Sequence, residues 1–188
     1  MSFELIEADV SALRVLYPKL RRDFHPGERI PKRFLRRALR RGAYDLFLLG
    51  DGAGKTPGYA LVNPRSLYGY ALLLYIGVDP EVRDRGFGGA LLRLLAEQYR
   101  DRQGMLAELT HISGEEADLE RRRTFYRRAG FLDVPCRYNL FGLDCDLMCL
   151  GLSGTAEIRQ IAPLVIRDLY GRNMPEKLLE RCVKIERA

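Results

Sequence analysis

Tyr68-Gly-Tyr-Ala-Leu-Leu-Leu-Tyr-Ile-Gly-Val-Asp-Pro80, then Glu81-Val-Arg-Asp-Arg-Gly-Phe-Gly-Gly-Ala90, then Leu91-Leu-Arg-Leu-Leu-Ala-Glu-Gln-Tyr99, form the run whose reading decides the fold. Its first part is apolar and aromatic, too short to cross a bilayer, and stopped by Asp79-Pro80, so it predicts a strand over 68–78. In its last part Gly88, Leu91, Leu92, Leu95 and Tyr99 fall at i, i+3, i+4, i+7 and i+11, which predicts an amphipathic helix that Gly104 is expected to end. Between them lies Arg83-Asp84-Arg85-Gly86-Phe87-Gly88-Gly89, a basic, glycine-rich turn. A strand, such a turn and a helix start gather backbone N–H groups around one point and let a ligand approach the main chain closely, an arrangement that binds phosphate. The turn is neither the dinucleotide fingerprint G-x-G-x-x-G nor a Walker loop.

The turn resembles R/Q-x-x-G-x-G/A, the pyrophosphate-binding signature of the GNAT superfamily of N-acetyltransferases, carried by Arg83, Gly86 and Gly88. Ile76-Gly77-Val78-Asp79-Pro80 is similar to that family's strand ending in L-x-V-x-P, and Phe125-Tyr126-Arg127-Arg128-Ala129-Gly130-Phe131 resembles its second signature, Y-x-x-x-G-F. The two signatures stand in the family's order, about 40 residues apart, which makes the pair far more specific than either alone. At two places where the family often carries Asn and Ala, this chain has Leu119 and Arg122. The resemblance implies an α/β fold with a mixed, twisted central sheet flanked by helices over 1–150, followed by a C-terminal helical extension over 151–188 that could pack on the core or pair subunits as a homodimer. It also implies acetyl-CoA as cosubstrate, held by Ile76, Gly77, Val78, Arg83, Asp84, Arg85, Gly86, Phe87, Gly88, Gly89 and Tyr126.

A chain of 188 residues suits one domain burying roughly 70% of its extended surface, and 47% hydrophobic with 30% charged is ordinary for a soluble globule. The first residues carry acid in place of a basic leader and have no apolar h-region, so no signal peptide is expected and cytoplasm is the default. No stretch approaches a membrane span. Cys136, Cys145, Cys149 and Cys182 lack C-x-x-C spacing or a companion His, which argues against zinc and against a dense disulfide framework. The net charge of +6 is mild beside dedicated nucleic-acid binders.

In order, Phe3 to Glu7 reads as an edge strand, and Asp9 or Ser11 can cap a helix through Leu13, Leu16, Tyr17 and Leu20 that Pro18 should break or shorten. His25-Pro26-Gly27-Glu28 reads as a turn, and Pro31 opens a second helix to about Arg41, closed by Gly42. On it Arg33, Arg36, Arg37, Arg40 and Arg41 form a basic stripe, read either as a solvated face or as an electropositive wall beside an acceptor. Tyr44 to Leu49 and Gly58 to Val62 read as strands around a loop whose Gly54-Lys55-Thr56 imitates a P-loop but leads into a strand where a helix would be needed. Met105 to Ile112 reads as a strand, and Glu115-Glu116 opens a helix to about Arg128. Arg137 to Phe141 and Cys145 to Leu150 read as a hairpin. Thr155 could cap a tail helix that Pro163 interrupts or restarts, and Pro175 begins a last helix.

Acetyl transfer from a thioester needs a base for the amine and an acid for the departing thiolate. The resemblance makes Tyr126 the acid; Glu108 is the base candidate, acting directly or through water, or else it merely pairs with an arginine. His111 lies on the opposite face and reads as structural, while His25 and Glu28 are candidate acceptor contacts. The expected activity is acetyl-CoA-dependent transfer to a small-molecule or peptide primary amine by direct attack in a ternary complex, with no metal. The rivals are a noncatalytic acyl-CoA-binding module and an RNA- or ribosome-binding module built on the stripes Arg33 to Arg41 and Arg121 to Arg128. An interleaving of aromatics suited to base stacking is not evident on either stripe, which disfavours nucleic acid.

Overall fold

The computed structural model describes residues 2–153 and 158–185. The chain divides into two compact units, Met1–Pro64 with Leu73–Gln98, and Arg65–Leu72 with Tyr99–Ala188. Strands and helices alternate through both, giving the mixed α/β class expected.

In the first unit β1 (Glu4–Ala8) pairs antiparallel with β2 (Asp45–Gly50), which pairs antiparallel with β3 (Gly58–Asn63). Every residue of β3 is buried, and β4 (Tyr70–Val78) is the next strand in order. Helix α1 (Leu13–Asp23) seats Leu13, Leu16 and Leu20 against Leu46, Tyr59, Leu61 and Tyr75, each leucine contributing about 1.5–3 kcal/mol of burial. Pro18 neither breaks nor shortens this helix, which runs on to Asp23. Both Pro18 and Arg14, whose carbonyl loses its i+4 donor to the proline ring, face solvent, so water can serve that carbonyl. Helix α2 (Lys32–Arg40) follows Pro31, buries Leu35 completely, and ends before Gly42 at φ 57°. Helix α3 (Phe87–Gln98) buries Phe87, Ala90, Leu91, Leu92 and Leu95. It stops at Gln98, well before the glycine expected to end it.

In the second unit that glycine, Gly104, begins β5 (Gly104–Thr110), which pairs antiparallel with β7 (Leu143–Gly151). A Cβ at Gly104 would stand 2.8 Å from the Leu150 carbonyl oxygen, so the residue is kept small by strand packing. Helix α4 (Glu116–Arg128) opens with two acids in its first turn and closes before Gly130 at φ 92°. Strand β6 (Leu132–Leu140) turns into β7 through Phe141 and Gly142, both at positive φ, the backbone of a two-residue turn whose twist suits a hairpin. The strand starts five residues earlier than its alternation suggests, because a bulge between Val134 and Arg137 accommodates Pro135 and breaks the period. Helix α5 (Ile158–Gly171) continues through Pro163, and α6 (Glu176–Cys182) follows Pro175. Thr155, the expected cap of α5, lies outside the described residues. An unforeseen strand, β8 (Val183–Ile185), pairs antiparallel with β6, so the order in this unit is β5-β7-β6-β8.

Candidate functional site

At the end of β4 the chain is held on several sides. A Cβ at Gly77 would meet the Tyr59 ring at 2.4 Å, so only glycine fits there. The Tyr59 hydroxyl donates to the Asp23 carboxylate at 2.9 Å, and burial, then the Asp23 charge, pushes that phenol far above its usual range. Asp23 also accepts from Arg22 at 2.8 Å and from Arg83 at 3.0 Å, while Arg83 Nε donates to the Val78 carbonyl at 3.3 Å. Asp79 pairs with Lys19 at 2.7 Å, and its N–H donates to the Pro57 carbonyl at 2.7 Å. The side chain of Arg83 is thus committed to bracing the turn against α1.

Beyond Arg83 the backbone turns through Asp84 at φ 58° and Gly86 at φ 83°, and Gly86 accepts the first helical bond of α3 from Ala90 at 3.0 Å. A Cβ at Gly86 or Gly89 would meet nothing within 4 Å, so these positions border open space; at Gly86 the positive φ is a second reason for glycine. The N–H groups of Phe87, Gly88 and Gly89 fall in the first turn of α3, at its positive end. Phe87 itself turns inward, edge-on to Phe3 at 4.9 Å. Ile76, Gly77 and Val78 are half-buried, whereas Asp84 and Arg85 are exposed. Main chain and a helix terminus in this arrangement form a cradle suited in chemistry to an anion.

His25 and Glu28 are brought together, but by their own turn. The Glu28 carboxylate accepts from the His25 N–H at 2.9 Å, and His25 Nδ1 accepts from the Gly27 N–H at 3.2 Å. The Tyr75 hydroxyl donates to the Glu28 carbonyl and accepts from the Ile30 N–H, both at 2.7 Å, clamping the entry to α2 onto β4. On α2 the five arginines of the stripe are exposed, and among the described residues none of them pairs with a carboxylate.

In the second unit Glu108 projects half-buried from β5 and accepts from two phenols. Tyr138 of β6 donates to its carboxylate, and Tyr170 of α5 donates to both oxygens at 2.7 and 2.8 Å. Tyr138 is fully buried, and burial together with the Glu108 charge raises its phenol well above the ordinary value. These two tyrosines were missed in the sequence; the one available signal is that a carboxylate in a buried strand needs donors. Tyr126 is buried on α4, its ring 5.2 Å from those of Phe125 and Phe131, and its carbonyl accepts from the Ala129 and Phe131 N–H groups that close the helix. His111 pairs with Asp146 at 2.9 Å, consistent with a structural part. Arg122, where the family often has alanine, donates to the Thr110 carbonyl at 2.8 Å.

Residues 43–132, which contain the turn, Glu108 and Tyr126, match the sequence model described as Acetyltransferase (GNAT) domain. Over those residues the chain matches a GNAT acetyltransferase domain. No curated protein matches the chain in sequence. Among solved structures, a GNAT-family protein from Bacteroides thetaiotaomicron superposes with a TM-score of 0.71 at 18% identity, covering 89% of this chain and 96% of that one. The ribosomal-protein-S18-alanine N-acetyltransferase from Escherichia coli does so at 0.61 and 21%, covering 83% and 97%. Spermidine N-acetyltransferase from Vibrio cholerae, in complex with CoA and spermine, does so at 0.62 and 13%, covering 80% and 96%. At these identities the likeness is one of fold. Among the described residues no helix is long and apolar enough to cross a membrane.

Proposed function

We propose that this GNAT domain transfers an acetyl group from acetyl-CoA to a primary amine by direct attack in a ternary complex. The observation that carries the reading is the turn from Arg83 to Gly89, where a positive-φ glycine, open space at Gly86 and Gly89, and the start of α3 combine into a cradle fitted to a pyrophosphate. In the reaction the amine nitrogen bonds to the thioester carbon, the carbon–sulfur bond breaks, and the nitrogen loses a proton while the thiolate gains one. Tyr126 is the group we assign to protonating the sulfur. Glu108, fixed by two phenols, is the group we assign to taking the amine proton, directly or through a water.

Two measurements test this. Acetyl-CoA should raise the melting temperature of the wild type, and Gly88→Glu, which places a side chain and a negative charge in the cradle, should remove that rise from a protein that still folds. An amine panel, including peptides with a free N-terminus, should then release CoA in a thiol assay. Stabilisation by acetyl-CoA with no amine releasing CoA above background would leave a noncatalytic acyl-CoA-binding module. An unchanged affinity in folded Gly88→Glu would defeat the cradle itself.

A further inference from the structure

On α2 the charge is arranged in a way that nothing within the fold explains. Arg33, Arg37 and Arg41 stand in one i, i+4 row, with Arg36 and Arg40 in the row beside it, and all five are exposed. Like charges at this spacing repel and weaken a helix, and the first turn holds no acid to suit the positive helix end. Among the described residues none of these arginines has a carboxylate partner, and the contact shown for one is Arg33 over the Phe34 ring at 4.8 Å. An arrangement unfavourable for the helix and unanswered by acids among the described residues is complementary to a partner that brings acids.

We infer that this face docks an acidic polypeptide segment and that the acceptor amine belongs to a chain carrying one; the second clause rests on the acetyltransferase reading above. The row spacing fits. Arginines four apart rise about 6 Å along the helix, and same-side residues of an extended peptide repeat at about 6.8 Å, so alternate Asp or Glu side chains can meet successive arginines. Guanidinium groups suit this task because they bind carboxylates bidentately. A nucleic acid fits less well. Such complexes commonly neutralise about 6–10 phosphates and stack bases on aromatics, whereas this face offers five charges over about 12 Å, and its one exposed ring, Phe34, lies under Arg33. A polyamine acceptor would be repelled by the same field.

The position of the face is set within the first unit. The chain entering α2 is clamped on Tyr75, one residue before the strand end Ile76-Gly77-Val78 that leads into the cradle. The start of α2 is thereby held against β4.

The test uses a fluorescent 12-residue peptide with alternating glutamates and a free N-terminal amine, a version with every glutamate replaced by glutamine, and a 12-nucleotide single-stranded RNA. The whole protein is compared with the double variant Arg36→Glu/Arg40→Glu and with Arg121→Glu, whose arginine pairs within its own helix. The acidic peptide should bind at least about tenfold more tightly than its glutamine version, lose that margin in the double variant and in high salt, and keep it in Arg121→Glu. Acetyl-CoA affinity should be the same in all three proteins. Equal binding of the two peptides, or tighter binding of RNA with a steep salt dependence, overturns the inference. Selective binding of the acidic peptide through Arg36 and Arg40 without CoA release would keep the docking face and remove the catalytic reading. CoA release from both peptides with equal kcat/KM would do the reverse.

Discussion

Helices α2 and α4 each present arginines at close spacing, and the two sets live in opposite surroundings. On α4, Arg121 and Arg122 pair with Asp118, Arg123 with Asp133 and Asp146, and Arg127 with Asp133 at 2.7 Å. Those acids come partly from β6 and β7, so the arginines fasten α4 to the strands behind it. On α2 the arginines are exposed and, among the described residues, have no such partners. The difference separates two uses of one residue type: charge satisfied inside the fold fixes an element, and charge left exposed is available for recognition. It also divides the labour proposed for the two helices, since α4 carries Tyr126 and α2 borders the chain entry clamped on Tyr75.

The largest effect expected from this division is on chemistry. Tyr126→Phe keeps the ring that packs on Phe125 and Phe131 and removes a hydroxyl. General acid assistance is commonly worth about 10²- to 10⁴-fold, so kcat should fall by that order, equivalent to about 3–5 kcal/mol of barrier. Melting temperature and acetyl-CoA affinity should hardly change. Full turnover in Tyr126→Phe would mean that the proton reaches the sulfur from elsewhere and that α4 only supports the fold.

Next comes a contrast in stability. Arg123 is largely buried and bridges Asp133 and Asp146, at 2.6 Å from the latter. Arg123→Met keeps much of the packing but leaves two half-buried carboxylates short of a partner, and urea unfolding should show a loss of about 1–3 kcal/mol. The matching Arg36→Met on α2 should stay within about 0.5 kcal/mol of wild type. Equal losses at the two sites would erase the distinction between satisfied and exposed charge.

The same acids set a pH dependence. Burial alone would raise the Asp146 carboxyl, but donors from Arg123, His111 and Arg137 outweigh it and hold the carboxyl below its usual value. Asp133 behaves alike, burial being outweighed by Arg127 and Arg123. A carboxyl whose pKa is depressed on folding contributes stability above its unfolded value of about 3.9, and that contribution is lost as pH falls through the folded value. Acid unfolding below about pH 4 should therefore be less steep in Arg123→Met, because part of the contribution has already gone, and unaltered in Arg36→Met. An identical acid limb in all three proteins would remove these two carboxylates from the account.

The contrast also marks how far the sequence can be read. The strand, turn and helix start around Arg83 to Gly89 were legible because they are contiguous, so Gly77, Arg83, Gly86 and Gly88 announce that geometry locally. Even there the sequence did not reveal that Arg83 braces Asp23, a residue 60 positions away. Glu108 could be singled out on its strand, but its donors Tyr138 and Tyr170 arrive from β6 and α5, 30 and 62 residues on. The arginines of α2 and α4 are told apart only in part by the sequence, because Asp118 lies on α4 itself whereas Asp133 and Asp146 lie on β6 and β7. Local rules misled where context overrode them: Pro18 and Pro163 sit inside continuous helices, the bulge at Pro135 hid the start of β6, and β8 is too short to signal itself.

The smallest effect has an unusual sign. Arg36 has Lys32 and Arg33 one turn before it and Arg40 one turn after, so Arg36→Glu converts three repulsive neighbours into attractive ones. Helical pairs at these spacings contribute about 0.2–0.5 kcal/mol each, and an acid placed four residues before Arg40 has the favourable order, acid toward the N-terminus and base toward the C-terminus. Position 36 is mid-helix, so the added acid meets little of the unfavourable field at the C-terminal end. With screening at physiological salt the net change should be a stabilisation of about 0.5–1 kcal/mol, a rise of about 1–4 °C in Tm for a chain of this size. A charge reversal that strengthens a helix implies that the natural residue is kept for something other than folding. Reversal at Arg123 should run the other way, since it would set a third acid between Asp133 and Asp146. If Arg36→Glu also lowers Tm, then α2 depends on that arginine within the fold, and its exposure no longer argues for a partner.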